Sequence, residues 1–312
     1  MEGQPESSDE LAPDAIETIV RAAAQVGIDR VKLTGGEPTL RSDVVEIVRR
    51  VRPWVGEVSM TTNGLRLEDL AQSLRAAGLR RVNVSLPSLN PEVYRELTGV
   101  DGTERVIRGI RAACAAGLDP VKLNVVALSG QTDSPEAMGA LLDLAQEVGA
   151  QVQLIEFENV RDRVDPRVYR QLHSELGKLT TEAAAQAFRT DRNRLHDRPR
   201  YTYLRHGRPA TVEVVQPVEN PAFCMGCQRL RVTSDGRLKG CLMTNEGLVD
   251  LRPLLRSGAP PESFVRAFEL AVSRRRPFFT GPETPRPEPE FAPELLPSIG
   301  TVPASLPVLG QP

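Results

Sequence analysis

A unit of helix, glycine and β-branched strand occurs four times in the first two-thirds of the chain, and this repeat limits the fold more than any other feature. In each unit, apolar residues at helical spacing end at a glycine suited to a C-terminal cap, and a short strand-like segment follows. Strands separated by helices of this length need crossover connections, so the sequence predicts a parallel α/β sheet. The glycines are Gly27, Gly78, Gly117 and Gly149, and the strands are predicted over residues 31–34, 82–85, 121–126 and 152–156.

A fifth strand is predicted at residues 58–60, preceded by a helix that begins near Ser42. Small and polar residues follow the predicted strands, at the edge where a parallel sheet holds its ligand. The alternative is that each of these residues only begins a loop. The candidates are Thr34 with Gly35, Gly36 and Glu37, then Thr61, Thr62 and Asn63, and then Ser85, Asn124 and Glu156.

The rest of the chain follows a different pattern. Residues 161–200 are charged and helix-prone, with 182–188 at their centre, and are predicted to form a connector. Strands are predicted at 201–204 and 210–216 around a Gly207-Arg208-Pro209 turn, and a hairpin at 230–239 turns at Ser234-Asp235-Gly236. The chain becomes proline-rich after Phe279, which predicts a disordered tail. The expected divisions are residues 1–160, 161–200, 201–279 and 280–312.

The composition indicates a globular protein, and it gives no reason to expect nucleic acid or a membrane as a binding partner. The 312 residues are 40% apolar, and 39 Lys+Arg against 41 Asp+Glu leave a net charge of −2. Such a balance gives no reason to expect binding to a polyanion or an anionic membrane. The sequence has neither a signal-like start nor an apolar run of roughly 20 residues. A cytoplasmic location is therefore expected.

Three of the four cysteines form a candidate metal site. Cys224 and Cys227 make a C-x2-C pair, and Cys241 follows after thirteen residues. Three thiolates suit a [4Fe-4S] cluster that keeps one iron open for substrate. A zinc site would need a fourth ligand, for which His196 or His206 is available, and the spacing alone leaves both metals open. Cys114 stands apart and is expected to be a small core residue.

Basic residues near this motif point to an anionic ligand. Arg229 and Arg231 alternate as in a strand, which places both guanidinium groups on one face, where they match a polyphosphate. The alternative is a solvated strand face. Lys32 and Lys122 lie inside predicted strands, where a cation is costly unless it faces a ligand or reaches solvent. Neither a G-x-G-x-x-G dinucleotide motif nor a P-loop is present.

The glycine pair after the first predicted strand also allows close approach of a ligand to the backbone. Gly35 and Gly36 are followed by Glu37 and by Pro38, which fixes the exit of the chain. Taken alone, the pattern predicts only a turn.

Several segments together resemble the molybdenum cofactor biosynthesis protein A family, the GTP 3′,8-cyclases of the radical S-adenosylmethionine (SAM) superfamily. They occur in family order over roughly residues 10 to 255, and segments in register are more specific than any single motif. The segments are residues 31–41 (VKLTGGEPTLR), 61–64 (TTNG), 81–86 (RVNVSL), 121–125 (VKLNV), 154–157 (LIEF) and 223–231 (FCMGCQRLR), with Cys241.

This resemblance implies a fold and a set of site residues. The implied fold is a partial (β/α) TIM-type barrel of the radical SAM kind without its first strand, followed by a C-terminal β-containing cluster-binding region. SAM would be bound by Gly35, Gly36, Glu37, Pro38, Ser85 and, where the family often has methionine, Glu158. GTP would be bound by Lys32, Thr61, Lys122, Arg229, Leu230 and Arg231. The second [4Fe-4S] cluster would be ligated by Cys224, Cys227 and Cys241.

The resemblance also implies a lyase reaction in molybdenum cofactor biosynthesis. A 5′-deoxyadenosyl radical, made by reductive cleavage of SAM, abstracts the ribose 3′ hydrogen of GTP, and the carbon radical attacks C8 to give 3′,8-cyclo-7,8-dihydro-GTP. The implied partners are an electron donor and the next enzyme, cyclic pyranopterin monophosphate synthase. The resemblance allows a homodimer and implies neither nucleic acid nor membrane as partner.

Two departures from the family pattern bear on activity. The chain has no cysteine before Cys114, so it lacks the C-x3-C-x2-C motif that holds the radical-generating cluster, and Lys32 replaces the more usual arginine. We expect a chain truncated at its N-terminus and inactive in this form. The alternatives are a degenerate GTP- or metal-binding family member without catalysis, and another radical enzyme with an auxiliary cluster domain.

Overall fold

The computed structural model describes residues 10–158, 173–174, 176–193, 198–218 and 220–278. Its α-helices are α1 Pro13–Gln25, α2 Val44–Val51, α3 Leu67–Ala77, α4 Pro91–Thr98, α5 Thr103–Ala115, α6 Pro135–Val148, α7 Leu176–Gln186, α8 Pro221–Met225, α9 Arg252–Ser257 and α10 Pro261–Ser273. Short 3-10 helices span Pro38–Leu40 and Arg52–Trp54.

The strands form two sheets. The large sheet contains β1 Arg30–Leu33, β2 Glu57–Thr62, β3 Arg81–Ser85, β4 Val121–Ala127, β5 Gln151–Glu156, β6 Arg189–Asn193, β7 Arg198–Arg205 and β8 Arg208–Val215. The small antiparallel sheet contains β9 Arg231–Val232, β10 Arg237–Lys239 and β11 Val249–Asp250. All five strands expected from the first part of the sequence are present.

The large sheet is an open, partial α/β barrel with strand order β1-β2-β3-β4-β5-β8-β7-β6. Strands β1 to β5 and then β8 pair in parallel, whereas β7 and β6 add antiparallel edges. The predicted parallel sheet is therefore confirmed. The sequence did not predict that β8 pairs with β5, so the region expected to begin at residue 201 shares its first strands with the main sheet.

The predicted Gly207-Arg208-Pro209 turn between β7 and β8 was wrong at two of its three residues. Arg208 and Pro209 are not in the turn but begin β8, where they lie opposite Arg205 and Leu204. The turn consists of His206 and Gly207, both with positive φ (49° and 75°). Positive φ at both positions matches the twist of the paired strands, which is why the two-residue turn closes here.

The helices end at glycines where the sequence predicts C-terminal caps. Gly78 and Gly149 adopt the left-handed conformation after α3 and α6, as expected for glycine C-caps. At the opposite ends, the Ser134 side chain accepts a hydrogen bond from the Ala137 amide, and Asn90 caps α4 in the same way. The glycines at these positions therefore mark where each of these helices ends and the chain continues to the next strand.

The sheet has one apolar face and one polar face because side chains alternate along each strand. Val58 and Met60, Val82 and Val84, and Leu123 and Val125 point to the helices and are fully buried. They form the main core with residues of α2, α3, α5 and α6. Half-buried Cys114 packs on this core, as expected, and burial raises the pKa of its thiol.

The small sheet is anchored on the first helix by a second core. Ile19, Ala22 and Ala23 of α1 pack with Leu238 of β10 and with Phe264 and Phe268 of α10. Thus the C-terminal segment that carries the cysteines is held against the N-terminal part of the barrel.

Several predictions fall partly or wholly outside the described residues. The expected connector, 161–200, is described only in α7, β6 and short flanking stretches, and the predicted tail, 280–312, lies entirely outside them, as does His196. In the part of the chain that the structure covers, no helix combines the length and the apolar character needed to cross a bilayer.

Candidate functional site

The inner face of the large sheet carries charged and amide side chains at alternate strand positions. Lys32 of β1 lies opposite Ser59 of β2, Asn83 of β3 opposite Lys122 of β4, and Gln153 of β5 opposite Glu213 of β8. Asn83, Lys122, Gln153 and Glu213 are all buried. A buried polar row of this kind needs internal partners or a ligand.

Lys122 and Glu213 form a buried ion pair across this face. Lys122 Nζ donates to Glu213 Oε2 at 2.7 Å, and the side chains are 10% and 1% exposed. Burial lowers the pKa of Lys122, and the Glu213 carboxylate opposes that shift. Lys122, predicted to contact substrate, therefore has an internal counter-ion as well.

Arg198 of β7 is the second cation on Glu213. Its Nη1 donates to Glu213 Oε1 at 3.2 Å, and burial lowers its pKa while Glu213 opposes the shift. Its guanidinium carbon also lies 5.8 Å from the centre of the Phe223 ring. Phe223 directly precedes Cys224, the first cysteine of the motif. Arg198 therefore connects the sheet interior to the cysteine segment.

Lys32 faces a cation-rich region and lacks an internal counter-ion among the described residues. The pKa of Lys32 is lowered from 10.5 to about 8, first by burial and then by Arg81, Arg198, Lys122 and Arg229. Cations gathered this closely repel one another unless an anion joins them. The arrangement suits a polyanionic ligand at the inner face.

The glycine loop after β1 is shaped by Glu37. Its carboxylate accepts hydrogen bonds from the amide of Thr39, the hydroxyl of Thr62 (2.7 Å) and the amide of Asn63 (2.6 Å). These bonds tie the loop to the end of β2. Because the Glu37 side chain is engaged within the protein, its predicted part in SAM binding would fall to its backbone.

The adjacent glycines leave the loop surface open. Gly35 has φ +127°, a conformation that L side chains rarely adopt, and a Cβ at Gly35 or Gly36 would meet no atom within 4 Å. Pro38 is buried and begins the 3-10 helix that leaves the loop. The geometry therefore allows a ligand to approach the backbone at Gly36.

Two further predicted contacts lie on the inner face at the same edge. Thr61 is opposite Asn83, and Ser85, at the end of β3, is opposite Asn124. Glu156 Oε2 at the end of β5 accepts the Val218 amide at 3.0 Å, which ties this edge to the segment before the cysteines. The predicted strand-end residues are therefore brought to one side of the sheet.

The cysteine segment is organised by a short helix and by arginine. Asn220 caps α8, which contains Cys224, and Cys227 follows the helix. Arg229 Nε lies 3.5 Å from Cys227 Sγ. Burial would raise the pKa of Cys227, but the Arg229 contact outweighs it and lowers the pKa, which favours the thiolate needed for metal ligation. Cys241 follows β10.

Glu158 joins this segment to the sheet. Burial raises its pKa, and the nearby guanidinium groups of Arg229 and Arg231 oppose that shift. The two arginines and Glu158 are thus neighbours, whereas Leu230 packs on the second core. Any contact of Leu230 with a ligand would accordingly come from its backbone.

The donor chemistry of the segment fits an iron–sulfur cluster. Cys224, Cys227 and Cys241 are half-buried free thiols, and three thiolates suit a cluster with one open iron. Among the described residues, no three His, Cys, Asp or Glu side chains converge closely enough to hold a metal ion. His206, the described zinc alternative, lies in the β7–β8 turn with Nε2 3.4 Å from Asp143.

Sequence reasoning missed four inner-face residues, namely Asn83, Gln153, Arg198 and Glu213. For the first, second and fourth of these, the available signal was the alternation within RVNVS, VQLIE and TVEVV, where each polar residue stands between two apolar residues of its strand. In a strand covered by helices on one side, that alternation indicates a second face built for polar partners.

Two family models match the sequence, one over each half of the chain. The sequence matches the Radical SAM superfamily over residues 2–142 and the family described as Molybdenum Cofactor Synthesis C over residues 150–280. These ranges contain the glycine loop and the cysteine segment, respectively.

Two relatives that match most of the chain have the same name. A protein of Thermococcus kodakarensis named "Probable GTP 3′,8-cyclase" is 44% identical over 88% of this chain and 88% of its own length. One of Pyrococcus abyssi with the same name is 42% identical over 89% and 90%.

Solved structures give a weaker likeness. Streptococcus suis SuiB bound to S-adenosylmethionine is 21% identical with a TM-score of 0.45, over 57% of this chain and 40% of that one. The assignment rests instead on the sequence relatives and on the two family matches. The chain belongs to the GTP 3′,8-cyclase family of the radical SAM superfamily.

Proposed function

We propose that this protein is a GTP 3′,8-cyclase, a lyase of molybdenum cofactor biosynthesis that converts GTP to 3′,8-cyclo-7,8-dihydro-GTP. The observation that carries the proposal is the cation-rich inner face, with Lys32 at a pKa of about 8, in a chain 44% identical to a protein of that name. The alternative of a degenerate binding protein has no comparable support.

The residues proposed to bind GTP come from two parts of the chain, the large sheet and the cysteine segment. Lys32, Thr61 and Lys122 would contact it from the inner face of the sheet. Arg229 and Arg231 would hold the triphosphate, because guanidinium groups form paired, charge-assisted hydrogen bonds with phosphate oxygens. The backbone at Leu230 would complete that side. Neighbouring cations that repel one another in the free protein are stabilised when the triphosphate binds.

The residues proposed to bind SAM lie at the carboxyl edge of the first strands. The open backbone at Gly35 and Gly36, held by Glu37 and Pro38, would accept its amino-acid part, with Ser85 beside it. Glu158, near Arg229 and Arg231, would be a further contact of SAM. When bound, SAM and its cluster supply the radical, while these residues position the reacting groups and exclude water.

Cys224, Cys227 and Cys241 are proposed to ligate a [4Fe-4S] cluster that faces the guanine base. Support comes from the donor set and from Arg229, which lowers the pKa of Cys227. A polypeptide of these 312 residues has no cysteine before Cys114, so we propose that by itself it binds GTP without cleaving SAM.

The proposed setting and partners follow from the family resemblance and the cluster chemistry. Iron–sulfur ligation needs reduced thiolates, which favours the cytoplasm. The proposed partners are an electron donor and cyclic pyranopterin monophosphate synthase, which would take the product onward. A homodimer is included on the resemblance alone.

Anaerobic reconstitution with iron and sulfide tests this proposal. We expect about four irons per chain for these 312 residues, and about eight once a C-x3-C-x2-C segment is fused upstream. The fused protein, reduced and given SAM and GTP, should release 5′-deoxyadenosine and the cyclised nucleotide. Eight irons with SAM cleavage but no GTP consumption would refute the assigned substrate.

A further inference from the structure

The buried amides of the sheet interior form a directed chain of hydrogen bonds that starts at Glu213. Asn83, Gln153 and Glu213 lie on β3, β5 and β8 with exposed fractions of 5%, 3% and 1%. Gln153 Nε2 donates to Glu213 Oε1 at 3.0 Å, and Asn83 Nδ2 donates to Gln153 Oε1 at 3.0 Å. Asn83 Nδ2 is also 3.2 Å from Asn124 Oδ1.

The direction of this chain is set by charge. Lys122 and Arg198 both donate to Glu213, which favours its ionised form, and an ionised carboxylate only accepts hydrogen bonds. Gln153 must therefore turn its NH2 group toward Glu213 and its oxygen toward Asn83. Asn83 must in turn present its NH2 group to Gln153. Its own oxygen is then directed away from the chain.

The oxygen left over has no partner in the described structure. Asn83 Oδ1 is buried and accepts no hydrogen bond from any described residue. Leaving a buried carbonyl oxygen unpaired is costly, and such groups in native proteins commonly meet a ligand or water. Because Glu213 prevents the amide from turning over, the cost cannot be relieved by exchanging the two amide ends.

The position of Asn83 indicates which ligand it would meet. On the inner face it lies directly between Thr61 and Lys122 in the strand register. Both neighbours are proposed GTP contacts, so a nucleotide that touches them passes over Asn83. The base and ribose of GTP carry N–H and O–H donors that match an acceptor.

We propose that Asn83 Oδ1 accepts a hydrogen bond from an N–H or O–H group of GTP, and that Glu213 is the positioning residue that directs it there through Gln153. The inference rests on the proposed function, since it assumes that GTP occupies the sheet interior. Asn83 would thus recognise the nucleoside, whereas the arginines recognise the triphosphate.

Calorimetric titration of the reconstituted chain tests this inference with GTP and SAM as probes. Asn83→Ala should raise the Kd for GTP about tenfold, as expected for the loss of one buried hydrogen bond, and should leave the Kd for SAM within about twofold. The matched control is Ser59→Ala. Ser59 is a buried inner-face residue whose hydroxyl donates to Val31 O, and its loss should leave GTP affinity within about twofold.

Nucleotide analogues separate recognition from a general structural effect. ITP, N1-methyl-GTP, 2′-deoxy-GTP and 3′-deoxy-GTP each lack one of the four donor groups of the nucleoside. The analogue that lacks the partner of Asn83 should bind wild type about tenfold more weakly than GTP does. The Asn83→Ala variant should bind this analogue and GTP with equal affinity. If every analogue showed the same loss with both proteins, Asn83 would have no part in recognition and the proposal would be wrong.

The positioning role is tested at Gln153, which contacts no ligand in this account. Gln153→Leu leaves Asn83 in place but frees its amide to turn, so it should reproduce the loss of discrimination between GTP and that analogue. It also serves if Asn83→Ala does not fold. If a folded Gln153→Leu variant still discriminated between GTP and that analogue as wild type does, the positioning role would be overturned. If Asn83→Ala changed the affinity for SAM alone, the choice of GTP as the ligand of Asn83 would be overturned. Failure of wild type to bind GTP would defeat the proposed function itself, and the inference with it.

Discussion

Lys122 Nζ and Glu213 Oε2 lie 2.7 Å apart between strands β4 and β8, in an ion pair with side chains 10% and 1% exposed. The pair joins residues 91 positions apart in the chain and lies where the substrate is proposed to bind. It therefore links the stability of the barrel to the electrostatics of the site.

Removal of the carboxylate should destabilise the fold strongly. Glu213→Leu leaves Lys122 and Arg198 buried without their counter-ion, a situation that typically costs about 3–5 kcal/mol. Denaturant unfolding should show that loss in the free energy of unfolding. Glu147→Ala is the control, because Glu147 pairs with Arg111 where both side chains are about half exposed, and it should cost less than about 1 kcal/mol. Equal effects would contradict the importance of the buried pair.

GTP affinity should depend on pH through Lys32. Its pKa is lowered to about 8, so the side chain is mostly charged at about pH 7 and mostly neutral at about pH 9. The triphosphate favours the charged form, so the affinity should fall as the pH rises through this range. Lys32→Arg keeps the charge throughout. Titrations across the range should show the decline in wild type and little of it in the variant.

The arginine pair should act on the triphosphate. Arg229→Ala with Arg231→Ala removes charge-assisted hydrogen bonds of about 1.5–3 kcal/mol each, so the Kd for GTP should rise at least about a hundredfold. The effect on GMP should be smaller. Arg237→Ala is the matched control, since Arg237 lies on β10 of the same small sheet and pairs with Asp235. Unchanged GTP affinity in the double variant would remove the pair from the site.

The two loop glycines should respond differently to alanine. Gly36→Ala adds a Cβ that meets no atom within 4 Å, so the melting temperature should hardly change while SAM binding weakens. Gly35→Ala must adopt φ near +127°, which should cost about 1 kcal/mol of stability. Thermal unfolding and SAM titration measure the two effects. Equal SAM affinity in Gly36→Ala and wild type would place SAM elsewhere.

The alternating pattern of the sequence was enough to predict strands β1 to β5, which pair in parallel. Helices that end at Gly78 and Gly149 and strands with regular alternation are local features, so they can be recognised within a few residues. The pairing of β8 with β5 could not be predicted, since it depends on contacts across residues 157–207. Helices α9 and α10 were missed because their apolar faces pack on α1, far away in the chain.

Prediction of the site had the same limit. Lys32 and Lys122 stood out because lysine inside a strand is unusual, and the cysteines stood out by their spacing. Glu213 was missed because a single glutamate in a strand ordinarily faces solvent. Its partners come from β4, β5 and β7, and only the folded sheet brings them together.

We propose that the cation-rich sheet interior and the cysteine segment together bind GTP by its triphosphate. Calorimetric titration of the anaerobically reconstituted 312-residue chain with GTP and with GMP tests it most directly. We predict one GTP per chain, bound at least about tenfold more tightly than GMP. Absence of GTP binding, or equal affinity for the two nucleotides, would contradict it.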